Sequence, residues 1–238
     1  MPAPASAGTR TFGPALALLA LALVFAGLGV WQIRRLAWKT ALIAETDAAV
    51  HAAPIDPAML PAGDLAPFVY RRLAMTGHFL RAGTTLVTGA STLGTGYWEL
   101  VPLAGDDGRT VYVNRGFLPE GSRVEAARRS MPAGPVRIEG LLRLSEPKGR
   151  WLRTNRPGED RWYTRDIAAI AAKRRVPTDP RLFIDSWVET PGAPPGPDAP
   201  VAGLTVIAFP NNHLGYALTW FTMGIMAIGG AFVLVRRR

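Results

Sequence analysis

The chain has no cysteine and only three histidines, His51, His78 and His213, in 238 residues. Without thiols there is no disulfide framework, no thiolate metal site and no cysteine nucleophile. Six methionines (Met1, Met59, Met75, Met131, Met223 and Met226) form no cluster, so the soft sulfur ligands of a copper carrier are missing too. Serine chemistry fares no better. Ser91, Ser122, Ser130, Ser145 and Ser186 show no nucleophile-elbow pattern, and the Gly94 to Gly96 spacing fits no phosphate-binding loop. These absences argue against an enzyme.

Charge is also missing from two long stretches. Thr11 to Ile33 is an uncharged run of 23 residues, mostly Ala, Leu, Val and Gly. As a helix it would extend roughly 34 Å, enough to cross a hydrocarbon core of about 30 Å. Leu214 to Val235 is a second such run, closed by Arg236, Arg237 and Arg238, which prefer headgroups and water to hydrocarbon. The first run exceeds the apolar core of a cleaved signal peptide, and Phe25 to Trp31 offers a poor cleavage site. Two retained spans put both termini on one side. Positive charge flanks both ends of the first span, and a long loop crosses largely regardless of its charge. The expectation is cytoplasmic ends with a periplasmic central domain, in a bacterial inner membrane.

The formal charge of +9 suggests nucleic acid until it is mapped. Six of the 27 basic residues flank the spans, leaving residues 36–212 with 21 basic against 18 acidic side chains, a net +3. The excess therefore reads as membrane anchoring, with no nucleic-acid motif beside it.

Past the first span, Arg35 to Val50 lacks Gly and Pro and should continue as a helical stalk. Four prolines between His51 and Pro67 then mark an irregular connection. Six short strands are expected at Arg72 to Phe79, Thr84 to Thr88, Tyr97 to Leu103, Thr110 to Phe117, Val136 to Leu144 and Arg181 to Val188. Asp106-Asp107-Gly108 suits a hairpin turn between the third and fourth. Thr164 or Asp166 can cap a helix over Ile167 to Arg174, with Lys173 and Arg174 at its C-terminal end. The expected fold is α+β: a two-helix transmembrane hairpin carrying an antiparallel β barrel or sandwich-like domain with minor helices. The expected segments are 11–33 (first span), 34–50 (stalk), 51–212 (mainly-β domain) and 213–235 (second span).

One histidine has a suggestive setting. His213 stands at the mouth of the second span, with Tyr216, Ala217, Trp220 and Gly224 following at helical spacing. An imidazole beside large aromatics and small residues could bind a flat ring through its iron. It could equally belong to an interfacial aromatic belt. On the same side of the membrane, Trp31, Arg35, Trp38 and Leu42 share a face of the first helix with Arg34 beside it. Arginine forks bind porphyrin propionates and lipid phosphates alike. The stretch Arg137 to Arg175 holds eleven cations and five acids with Trp151 and Trp162 interleaved, either a solvated surface or a face for an acidic partner.

Several blocks resemble the surfeit locus protein 1 family of cytochrome c oxidase assembly factors. They are Gly29, Trp31, Gln32, Arg35, Leu36, Trp38, Lys39 and Leu42; Gly77 and Phe79; Gly96 through Pro102 and Leu103; Asn114-Arg115-Gly116-Phe117 with Pro119; Gly140 to Glu146-Pro147; and Asn211 to Phe221. The resemblance implies a membrane-anchored, non-enzymatic helper that binds heme a and aids its insertion into the catalytic subunit of the oxidase. The proposed heme ligand of the family's terminal motif falls on His213, giving a cofactor set of His213, Tyr216, Trp220, Trp31, Arg34 and Arg35. Implied partners are that subunit, heme a synthase and the lipid bilayer. The alternative is a heme-free membrane scaffold that stabilises nascent oxidase subunits.

Overall fold

The computed structural model describes residues 12–147, 153–194, 196 and 198–236. Met1, Thr11, Trp151, Arg237 and Arg238, named above, and Lys148 and Arg150 within the basic stretch lie outside them. The elements run α1 (Phe12–His51), β1 (Arg72–Phe79), β2 (Thr85–Ser91), β3 (Gly94–Gly105), β4 (Thr110–Pro119), α2 (Val124–Arg129), β5 (Val136–Leu144), α3 (Ile167–Arg174), β6 (Leu182–Thr190) and α4 (His213–Arg236). They form two compact units. One comprises the two terminal segments, to Glu45 and from Ala208; the other is Thr46–Ile207.

In the terminal unit, α1 and α4 are long and apolar enough to cross a membrane. They pack antiparallel. The buried positions of α1 are Ala15, Ala22, Gly29 and Gln32, with Leu18, Phe25 and Leu36 half-buried between them; those of α4 are Ala217, Gly224, Ala227 and Ala231. These positions alternate in steps of three and four, the repeat of two helices packed along a left-handed seam. Small residues at every seventh place (Ala15, Ala22, Gly29; Ala217, Gly224, Ala231) let the backbones approach closely. In lipid, that close packing replaces the hydrophobic driving force. A Cβ on Gly29 would fall 2.6 Å from the ring of Phe221, so a larger residue there would have to displace that ring.

The other unit is built on one six-stranded sheet, ordered β1-β5-β6-β4-β3-β2, in which β1 also pairs with β3. The five remaining pairings are not all of one kind: β4 and β6 run parallel through Tyr112–Phe183, Val113–Ile184 and Asn114–Asp185, so the expected antiparallel sheet is corrected to a mixed one. The reason lies in the connections. Tight turns force antiparallel neighbours, as at Asp106 to Arg109 between β3 and β4. The long excursion through α3 instead lets β6 insert between β5 and β4, antiparallel to one and parallel to the other.

Neighbouring side chains feed opposite faces of this sheet. Val101, Val111, Val113, Leu182 and Ile184 join a core with Leu73, Ile138 and Leu142. Leu100, Tyr112 and Phe183 join a second with Trp162, Ile167 and Ile170 beneath α3. With both faces covered, β4 is buried almost from end to end. The α3 helix starts where Asp166 accepts from the Ala169 amide at 3.1 Å.

Candidate functional site

Gln32 and His213 meet where α4 begins. Gln32 is buried on the seam of α1, and its Oε1 lies 2.8 Å from His213 Nδ1. An amide oxygen only accepts, so the contact in this orientation is made by the tautomer with its proton on Nδ1. Among the described residues Nε2 has no hydrogen-bond partner. A second polar pair follows, Asn211 Nδ2 donating to Thr40 Oγ1 at 3.5 Å, and the Asn211 Oδ1 is buried without a partner. Further along the seam Trp220 stacks on Phe25, ring centroids 5.6 Å apart at an interplanar angle of 27°.

The structure thus sets His213 against Gln32 and, about two turns further along α4, Trp220 against Phe25. It places the other expected residues elsewhere on the helices. Tyr216 and Trp31 are more than half exposed, and Arg34 and Arg35 are exposed with Arg35 stacked over Trp38 at 4.0 Å. The face of α1 turned to α4 is therefore that of Phe25, Gly29, Gln32 and Leu36, next to the Trp31, Arg35, Trp38, Leu42 face. The spacing of small residues carried that signal.

Among the described residues no three His, Asp or Glu side chains gather to hold a bare metal ion. A lone imidazole suits a metal that arrives with its remaining donors, as in a macrocycle. The exposed guanidiniums of Arg34 and Arg35 suit carboxylates at such a ring's edge.

The β unit holds a second polar constellation, and it is internal. Arg115 is fully buried, donating to both carboxylate oxygens of Glu189 at 2.8 and 2.7 Å and to Glu99 at 3.1 Å, with its guanidinium 4.9 Å from the Phe79 ring. One cation between two acids leaves a surplus negative charge. Burial pushes the Glu99 carboxyl up to about 7, against the pull of Arg115 and with a further push from Glu189. Burial alone would lower Arg115, but Glu189 and Glu99 hold it above its ordinary value. Beside it Asn114 donates to Asp185 at 2.7 Å, and Thr205 donates to the other Asp185 oxygen at 2.7 Å. Asn114, Arg115 and Gly116 are thus interior parts of the sheet.

Part of the basic stretch is paired within the chain. Arg137 pairs with Glu139, Arg143 with Asp185, Arg161 with Glu159, Arg165 with Glu146 and Arg174 with Asp160. Arg153 lies over the Tyr163 ring at 5.6 Å.

The arrangement can be set against known proteins. A SURF1-like protein of Monosiga brevicollis is 34% identical over 250 residues, covering 98% of this chain and 92% of the relative. Surfeit locus protein 1 of Rattus norvegicus is 33% identical, covering 82% and 67%, and that of Homo sapiens 30% identical, covering 86% and 71%. The family model described as SURF1 family matches residues 19–225, which take in α1 from its second turn, the whole β unit and the first half of α4. On that match and those relatives, the chain belongs to the SURF1 family.

Proposed function

We propose that this chain is an assembly factor for cytochrome c oxidase that binds heme a at the helical hairpin and aids its insertion into the catalytic subunit. The observation that carries the reading is the imidazole of His213. Its Nδ1 lies 2.8 Å from Gln32 Oε1, an arrangement that leaves Nε2 to a ligand, and it stands at the start of an apolar helix. Such a nitrogen suits heme iron, which brings four donors of its own. Arg34 and Arg35 would neutralise propionates, and Trp31, Tyr216 and Trp220 offer aromatic surface to the porphyrin. Heme is cargo here, so no group on the chain needs to perform covalent chemistry, and the protein is not an enzyme.

The termini are cytoplasmic and the Thr46–Ile207 unit periplasmic, in a bacterial inner membrane, with heme a synthase as a further partner. The pairing of β1 with both β5 and β3 supports a barrel-like reading of the sheet. The scaffold alternative gains nothing from the sheet motif: Asn114 and Arg115 are buried and present no surface to a partner.

The test is the heme a content of the oxidase catalytic subunit, purified from cells that make heme a and express either the native chain or His213→Ala. The subunit should be heme-replete with the native chain and heme-poor with the variant. Equal heme in both would remove the delivery role from His213.

A further inference from the structure

We infer that Gln32 is a positioning residue for His213: by accepting from Nδ1–H it selects the tautomer in which Nε2 is the atom left to take an iron. The inference deepens the heme reading and rests on it for the identity of the electron-pair acceptor. The tautomer itself does not depend on that reading.

In water a neutral histidine side chain favours the proton on Nε2, which would leave that nitrogen unable to ligate. A partner that only accepts, placed at Nδ1, reverses the preference. Gln32 Oε1 lies 2.8 Å from Nδ1, and Gln32 is itself 8% exposed on a seam otherwise made of Ala, Gly, Leu and Phe. There the amide has few competing partners, and an unmade bond would leave two polar groups stranded. The helix pair also fixes the ring's direction, because Gln32 comes from α1 and His213 from α4.

The partner's chemistry matters as well. A carboxylate at Nδ1 would draw the imidazole toward imidazolate, strengthen the iron bond and lower the reduction potential of the heme. A neutral amide orients the ring without that strengthening. That is the weaker grip a protein needs if it must hand its cargo on.

The experiment uses the full chain in detergent, with ¹⁵N-labelled histidine and no heme. Nitrogen chemical shifts of His213 should show a pyrrole-type Nδ1 and a pyridine-type Nε2 in the native chain and in Gln32→Glu. In Gln32→Leu and Gln32→Met the Nε2–H form should dominate, with helical ellipticity retained. A pyrrole-type Nε2 in the native chain, or an unchanged pattern in both apolar variants, would overturn the inference. The same proteins are then titrated with heme a. The apolar variants should bind about 10- to 100-fold more weakly, the range for loss of a ligand's hydrogen-bond partner. Gln32→Glu should bind with a lower midpoint potential. Unaltered affinity in the apolar variants together with an unaltered potential in Gln32→Glu would also overturn the inference. Equal heme binding by the native chain and His213→Ala would instead defeat the heme reading, while the nitrogen shifts still decided the tautomer.

Discussion

Arg115 sits between Glu99 and Glu189 with no exposed side-chain surface. Replacing it by leucine strands two buried carboxylates, and the expected cost is about 3–5 kcal/mol. Urea unfolding of the full chain in detergent, followed by fluorescence, would measure it; a change within error would mean the acids find other partners. Its neighbour Gly116 has φ +141°, and a Cβ there would meet the Val201 carbonyl at 2.4 Å. Gly116→Ala should therefore cost about 1–3 kcal/mol for the backbone conformation alone, before any displacement of the backbone at Val201. An unchanged urea midpoint would show that the backbone relaxes. Neither role was legible in composition or spacing. The block Asn114-Arg115-Gly116-Phe117 stood out only by resemblance, because an arginine and its two acids lie 16 and 74 residues apart in sequence.

At the scale of elements, much more could be read in advance. The spans of β1, β5 and α3 coincide with the runs expected from strand-like composition and from the cap at Asp166. Local chemistry sets those limits, so local sequence reveals them. The short α2 and the parallel β4–β6 pair went unread, since a six-residue helix has too little periodicity and a distant pairing leaves no turn signal. The face of α1 turned to α4 is carried by its small residues, Ala15, Ala22 and Gly29, next to the face that holds Trp31, Arg35, Trp38 and Leu42. That seam yields a prediction. Gly29→Leu forces a branched side chain into the Phe221 ring and should push α1 and α4 apart. With no native cysteine, spin labels at Leu16→Cys and Phe232→Cys, both exposed, report the helix pair cleanly. The distance distribution should be narrow in the parent and broadened or lengthened in Gly29→Leu; identical distributions would refute the packing argument.

Across the whole molecule, ionisable groups in the β unit act in two directions. Glu99 is raised from its ordinary 4.5 to about 7. In that range the folded chain keeps a proton the unfolded chain has released, so stability falls as pH rises from about 4.5 to about 7. Glu146 and Asp160 are lowered, burial being outweighed by Arg165 and by Trp162 with Arg174; Asp179 is lowered chiefly by its hydrogen bonds from Arg181. Their contribution is present above the ordinary carboxylate range and is lost as pH falls through their depressed values. Thermal unfolding of the full chain should accordingly give its highest Tm in acidic solution, at about pH 4.5 to 5, where the lowered carboxylates are ionised and Glu99 still holds its proton. Glu99→Gln should flatten the decline toward pH 7, and an unaltered decline would mean that another group causes it.

The central claim is that the helical hairpin binds heme a through His213. Its most direct test is titration of the heme-free full-length chain in detergent with heme a, monitored by absorption, for the native protein and His213→Ala. The account predicts saturation at equimolar heme with a shifted Soret band for the native chain, and loss of that transition in the variant. Identical titrations, or no saturable binding by either, would contradict it.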